Sequence, residues 1–318
     1  METASDGPHN GPPRRLRAAV GQTLSARIMV EKREMSSQRE PAAVTAGQSS
    51  LSRVSVGQFA ERFRSEVIPL SNTFGYFCAS VPMSEEAVKE YLEEPIAALP
   101  PALASTLPRI SILLVPYLER CAERGSGLRR KARPSLEKVG DFVVAERPAE
   151  GKQSWTSQVT YDNETVLVFA LKEQDVAEYH YRLYRRLAGL IADSWSPEAA
   201  SGFKATVREE LTAGVHGEVD DDSWQAKQTL LRRQTNIKRE SPLFADYVRQ
   251  SFIDTLTLYL HGICCDIDVE TGPRQLPSRY LRKRLNFLKT LYPPPAGYSV
   301  FPEENDQQEK KPSESAKQ

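Results

Sequence analysis

The stretch ETVLVFALK, residues 164–172, decides the fold of this chain. Its apolar run VLVFAL (166–171) is hydrophobic at consecutive positions, which is typical of a central strand that is covered on both faces. The preceding segment, SWTSQVTYD, is rich in β-branched and aromatic residues, and the residues around Asn163 favour a turn. The two segments therefore predict a β-hairpin, with strands near 155–161 and 164–171.

Strands precede this hairpin and helices follow it. RISILLVPY and DFVVAE predict strands near 109–116 and 141–146. From residue 173 onward, the spacing of apolar residues changes to that of amphipathic helices. Strands grouped before helices indicate an α+β fold: a small antiparallel sheet packed with a mostly helical C-terminal half.

Serines mark several predicted helix starts. Ser196 and Ser241 are each followed by proline, which is favoured in the first helical turn. Ser55 and Ser84 precede further amphipathic segments, where serine is a favoured N-cap. In SEEAVKEYLEEP, we expect Pro95 to end the helix that Ser84 begins.

Composition limits the class of protein. The 318 residues carry 42 Lys+Arg and 42 Asp+Glu, so the whole chain has no net field that would attract nucleic acid or an anionic membrane. Apolar runs such as ISILLV fall well short of the roughly 20 residues that a membrane helix needs, so we expect no membrane partner. The four cysteines (Cys78, Cys121, Cys264 and Cys265) are too sparse for a secreted disulfide framework, which predicts reduced thiols and a cytoplasmic location.

The two ends differ in composition from the rest of the chain. Residues 1–52 contain no aromatic residue and are rich in Gly, Pro, Ser, Gln and Arg, and residues 302–318 are polar throughout. Such segments cannot bury enough apolar surface to fold, so we expect disordered tails around one α+β domain at 53–301. A translation start at Met29 or Met35 instead of Met1 would shorten the first tail.

The stretch YLHGICCDIDVETGP, residues 259–273, concentrates residues that could carry chemistry. The simplest interpretation is a helix that ends near Gly262, with His261 favoured in its last turn, and a solvated loop after it. Side chains of adjacent residues usually point in different directions, so Cys264 and Cys265 do not match the spaced cysteine pairs of zinc sites. DIDVETG also lacks the glycine and the final glutamate of a calcium-binding loop.

Histidines supply the main hypothesis of an active site. His180, His216 and His261 all lie in the predicted ordered part. With a nearby carboxylate such as Glu209, Glu218 or Asp266, they could bind a divalent transition metal such as zinc, iron or manganese. Glu218 would then act as the general base of a metal-dependent hydrolase. The alternative is that each histidine is an ordinary core, cap or loop residue.

Basic residues are concentrated in the last predicted helix. Residues 274–289 contain no acid, and Leu281, Leu285 and Leu288 form its buried stripe. We expect its basic side to be exposed, with Arg279, Arg282 and Lys283 as candidates for binding phosphate, RNA or a protein partner. A solvated helix face is the simpler interpretation.

No complete catalytic signature is present in the sequence, and this absence shapes the functional hypotheses. Our first hypothesis is a non-catalytic interaction or scaffold protein with protein partners. The alternatives are the metal-dependent hydrolase and an accessory protein that binds nucleic acid through its last helix.

Overall fold

The computed structural model describes residues 53–120, 140–234, 236, 239–265 and 274–301. The two predicted disordered tails, Cys121 and Asp266 lie outside these ranges. Within the described residues, no helix combines the length and the apolar character that crossing a bilayer requires.

Strands and helices are both abundant, which confirms the α+β class. The strands are β1 (Val54–Ser55), β2 (Ile68–Pro69), β3 (Phe74–Cys78), β4 (Arg109–Val115), β5 (Tyr117–Glu119), β6 (Phe142–Val144), β7 (Gln153–Ser154), β8 (Thr156–Thr160) and β9 (Glu164–Ala170). The helices are α1 (Val56–Phe63), α2 (Glu85–Val88), α3 (Glu94–Ala97), α4 (Pro101–Ala104), α5 (Val176–Ser194), α6 (Pro197–Thr212), α7 (Asp221–Arg233), α8 (Pro242–Cys264) and α9 (Ser278–Leu291). A π-helical segment, Lys89–Glu93, joins α2 to α3.

The main sheet has the strand order β2-β3-β4-β9-β8. The predicted hairpin of β8 and β9 is present, and β9 is an inner strand. The predicted antiparallel sheet is wrong in one respect, because β3–β4 and β4–β9 pair in parallel. Parallel neighbouring strands need a long crossover connection. The chain between β3 and β4 is such a connection, and it contains the helical residues 85–104.

The run VLVFAL is apolar at every position because β9 is covered on both faces. Leu167 and Phe169 belong to the same core cluster as Tyr179 and Leu183 of α5. Val166 and Val168 belong instead to a second cluster with Phe59 of α1 and Val143 of β6. Strand β6 lies in a separate antiparallel sheet of order β1-β6-β5-β7.

Local capping signals determine several helix starts. Ser55, Ser84, Ser196 and Ser241 each accept a hydrogen bond from a backbone N–H in the first turn of the helix that follows. The helix end expected at Pro95 is wrong, because Pro95 lies inside α3. The π-helical segment just before it changes the hydrogen-bonding pattern and lets the helix continue past the proline.

Candidate functional site

The π-helical segment leaves one backbone carbonyl without a helical donor. The backbone N–H of Glu94 bonds to the carbonyl of Lys89, five residues earlier. In that pattern, the donor for the next carbonyl, that of Glu90, would be Pro95, and proline has no N–H. The Glu90 carbonyl therefore needs a partner from outside its own helix.

His180 supplies that partner. It lies in α5, is buried, and its Nε2 is 2.9 Å from the Glu90 carbonyl oxygen. Because a carbonyl oxygen can only accept a hydrogen bond, Nε2 carries the ring proton. Nδ1 then presents a lone pair, which is the arrangement that orients a histidine as a metal ligand.

Two thiols converge on Nδ1 of His180. Helix α8 does not end near Gly262 as predicted but continues to Cys264, and Cys265 is in an extended conformation, with φ −123° and ψ 142°. The change of backbone conformation between the two cysteines brings both thiols to the same histidine. The Sγ atoms of Cys265 and Cys264 lie 3.2 Å and 4.0 Å from Nδ1. The expectation that adjacent thiols would point apart is therefore wrong here.

The geometry of the three groups fits a metal ion. The donor atoms of His180, Cys264 and Cys265 all lie within 4.8 Å of one another, and this is the one such group of three or more among the described residues. Zinc bonds of about 2.0–2.1 Å to nitrogen and about 2.3 Å to sulfur, at tetrahedral angles, place neighbouring N and S ligands about 3.6 Å apart. The two observed N–S distances lie on either side of that value.

The two cysteines differ in acidity. The hydrogen bond from the Cys265 thiol lowers the pKa of Cys264 to about 4, against the opposing effect of burial. The same hydrogen bond, together with burial, raises the pKa of Cys265. At neutral pH the pair therefore carries one thiolate, and a metal ion that binds both sulfurs would displace the second proton.

His261 connects this cluster to a cleft. It lies one turn before Cys264 on α8, and its buried Nε2 makes no hydrogen bond within the described residues. Burial lowers the pKa of its imidazole first, and the neighbouring His180 lowers it further. His261 also lines a cleft of about 790 Å³ bordered by α5, α8 and β8.

The other predicted site residues lie outside the ligand cluster. His216 packs its ring edge against Trp224, with centroids 4.9 Å apart. Glu218 is buried between Arg284, at 2.8 Å, and Lys227, at 3.2 Å. Burial alone would raise the pKa of Glu218, but the charge of Arg284 lowers it overall. The structure thus brings Cys264 and Cys265 to His180, and it leaves His216 and Glu218 out of this group.

The basic side chains of α9 contact other residues of the protein. Arg282 lies over the Phe301 ring, and Lys283 pairs with Glu209. Arg279 packs on Tyr280. Arg284 is a further basic residue of α9, and it is fully buried although we expected the basic side of this helix to be exposed. Its guanidinium is paired with Glu210 and Glu218, which makes its burial tolerable.

Comparisons of the chain with known proteins identify no relative. No family model matches the chain, and neither the curated proteins nor the solved structures contain a match. The assignment of the site therefore depends on its geometry.

Proposed function

We propose that the protein binds a thiophilic divalent transition metal ion, zinc first, through His180, Cys264 and Cys265, and that it uses the ion in hydrolysis. The observation that carries the proposal is the convergence of two thiols on the lone pair of a histidine whose other nitrogen is fixed by the Glu90 carbonyl. Structural zinc sites use four protein ligands, whereas catalytic sites use three and leave a position for water. The described cluster supplies three.

The surroundings of the cluster support hydrolysis as the reaction class. A zinc ion lowers the pKa of bound water to about 7 and so supplies hydroxide at neutral pH. The cleft lined by His261 reaches α8 one turn before Cys264, although none of the three proposed ligands lines it. The Nε2 atom of His261 is buried beside the cleft and has no hydrogen-bond partner among the described residues, so a ligand that displaces its cover could exchange a proton with it. The proposal includes a reducing compartment such as the cytoplasm, where the thiols stay available as ligands.

Metal binding by untagged protein tests this function. We expect about one equivalent of zinc by mass spectrometry, and a sulfur-to-metal charge-transfer band after substitution with cobalt. His180→Gln and Cys265→Ser should each weaken zinc binding at least about tenfold in competition with a chromophoric chelator. Cys78→Ser and His216→Ala are matched controls, since both residues lie outside the cluster, and they should bind zinc as the parent does.

The same experiment separates a metal-binding protein from a scaffold protein without a metal site. A parent protein that binds zinc no better than Cys265→Ser would refute the metal site and leave the scaffold hypothesis first. Zinc binding that is lost in His180→Gln but kept in His216→Ala would establish the site.

A further inference from the structure

We infer that the cleft beside His261 binds a small phosphorylated molecule with an apolar organic group, and that Arg186 is the residue that holds its phosphate. This inference rests on residues other than the proposed metal ligands. It goes beyond the proposed function by naming a ligand class.

Arginines dominate the charged lining of this cleft. It is bordered by β7, β8, α5 and α8 and has a volume of about 790 Å³, within the usual range for small-molecule sites. Its lining arginines are Arg120, Arg182, Arg185, Arg186 and Arg249. Among the described residues, Glu178 and Asp193 alone contribute carboxylates to the lining.

Three of these arginines have their charge compensated by the protein itself. The partners, with N–O distances of 2.8, 2.8 and 2.6 Å, are Glu178 for Arg182, Asp254 for Arg185 and Asp193 for Arg249. Asp220 and Asp222 also pair with Arg185. These three arginines therefore already have carboxylate partners, and they are not the main source of uncompensated positive charge in the cleft.

Arg186 is different. Among the described residues, no carboxylate lies within ion-pair distance of its guanidinium. Its Nε donates to the Thr156 hydroxyl at 2.9 Å, and its Nη2 donates to the same hydroxyl and to the Thr156 carbonyl. Nη1 donates no hydrogen bond to any described residue. One edge of the guanidinium is thus fixed on β8, while other N–H groups remain available for a ligand.

The environment of Arg186 disfavours its charge. Burial lowers the pKa of its guanidinium first, and the positive charges of Arg185 and Arg120 lower it further, while Asp141 opposes them from beyond ion-pair distance. A partly desolvated cation surrounded by other cations is costly unless an anion joins it. Arg120, which also lines the cleft, makes no ion pair with a described carboxylate. The two unpaired guanidinium groups suit a doubly charged ligand.

Apolar side chains line the same cleft and indicate the rest of the ligand. Trp155, Leu190 and Ile253 all contribute to its wall. The guanidinium of Arg182 stacks on the Trp155 ring, 4.5 Å from its centroid, and Glu178 holds it there. Guanidinium groups bind phosphate oxygens through paired N–H donors, and apolar walls bury an organic group. A phosphate monoester of an apolar or aromatic alcohol combines both features.

Calorimetry with phenyl phosphate tests the inference. We expect the parent to bind it in the millimolar range or tighter, and at least tenfold more tightly than inorganic phosphate. Arg186→Met should weaken phenyl phosphate binding at least tenfold. It should leave the melting temperature equal or higher, because it removes an uncompensated cation. Arg186→Lys, which keeps the charge but not the paired donors, should bind with intermediate affinity. Arg62→Met, on α1, is the control and should bind as the parent does.

Two results would overturn the inference: no binding of phenyl phosphate by the parent, or equal binding by the parent and Arg186→Met. Repeating the titration in His180→Gln separates this inference from the metal site. Phenyl phosphate should bind there with the parent's affinity even though the proposed zinc ligand is gone.

Discussion

The guanidinium of Arg284 lies 2.8 Å from a carboxylate oxygen of Glu218, and both side chains are fully buried. Arg284 also contacts Glu210 of α6 and donates to the Ser251 hydroxyl of α8 at 2.7 Å. Lys227 of α7 lies 3.2 Å from Glu218. Two cations and two carboxylates thus balance one another where α6, α7, α8 and α9 meet.

Arg284→Met should strongly destabilise the protein. The substitution leaves Glu210 and Glu218 buried with too little positive charge, and breaking a buried pair in this way costs about 3–5 kcal/mol. Urea unfolding at pH 7 measures the free energy of unfolding. Lys283→Met, one residue away, removes an exposed ion pair with Glu209 and should cost less than about 1 kcal/mol. Equal effects of the two substitutions would contradict this role for Arg284.

Glu218 should make the free energy of unfolding depend on pH in the acidic range. Its carboxyl has a lowered pKa in the folded protein, since the Arg284 charge outweighs the effect of burial. A lowered folded-state pKa contributes stability above the unfolded value of about 4.3, and this contribution is lost as the pH falls through the folded pKa. Urea unfolding between pH 7 and pH 3 should therefore show a steeper loss of stability in the parent than in Glu218→Gln. Parallel curves would show that Glu218 does not contribute to the dependence.

Gly217 positions Glu218, and an alanine there should be poorly tolerated. Gly217 has φ +84°, and an added Cβ would lie 2.1 Å from the Gln275 carbonyl oxygen. Gly214 has φ +65° but open space around the same position, so Gly214→Ala isolates the backbone strain of about 1–2 kcal/mol. Gly217→Ala should cost about 1–3 kcal/mol more than that control, because the backbone must also move. Urea unfolding of both variants measures the difference.

Cysteine alkylation should distinguish the thiols of the metal-free protein. The pKa of Cys264 is lowered to about 4, whereas burial raises that of Cys78 to about 11. At pH 6, iodoacetamide should therefore modify Cys264 well before Cys78, as followed by mass spectrometry of peptides. Added zinc should protect Cys264 if it is a ligand. Equal rates at Cys264 and Cys78 would contradict the thiolate assignment.

Pro95→Ala should weaken metal binding without unfolding the protein. Alanine restores a backbone N–H that can bond to the Glu90 carbonyl, which then competes with Nε2 of His180. Loss of such an orienting partner typically reduces metal affinity about 10–100-fold. Pro197→Ala, at the start of α6, is a matched control and should leave zinc affinity unchanged. An unchanged affinity in Pro95→Ala would show that the proline does not orient the histidine.

Local signals in the sequence predicted the features that neighbouring residues determine. The apolar run 166–171 marks a strand covered on two faces, and serine caps mark helix starts. Parallel pairing of β4 with β9 depends on residues 55 positions apart and left no local signal. The burial of Arg284 did have a local signal, because Arg284 shares the helical spacing of the buried residues Leu281 and Leu288. Its positive charge nevertheless favoured the prediction of an exposed side chain.

The proposed metal ligands show more clearly that contacts between distant residues leave no local signal in the sequence. His180 is 85 residues from Cys265 and 90 from Glu90, so periodicity cannot relate them. The cysteines were visible in the sequence, but their convergence depends on where α8 ends. Pro95 gave the one usable signal: a proline inside a helical pattern leaves a carbonyl without its donor, and a buried histidine can satisfy it.

The spacing of the proposed ligands also sets the order in which the site can be made. As the chain leaves the ribosome, α5 can pack on the Lys89–Glu93 segment and fix His180 while the cysteines are still unmade. Helices α6 and α7 must follow before α8 delivers both thiols at its very end. A metal ion could therefore bind only after α5 to α8 have all been made, and a nascent chain that stops short of Cys264 would contain an oriented histidine without the two proposed sulfur ligands.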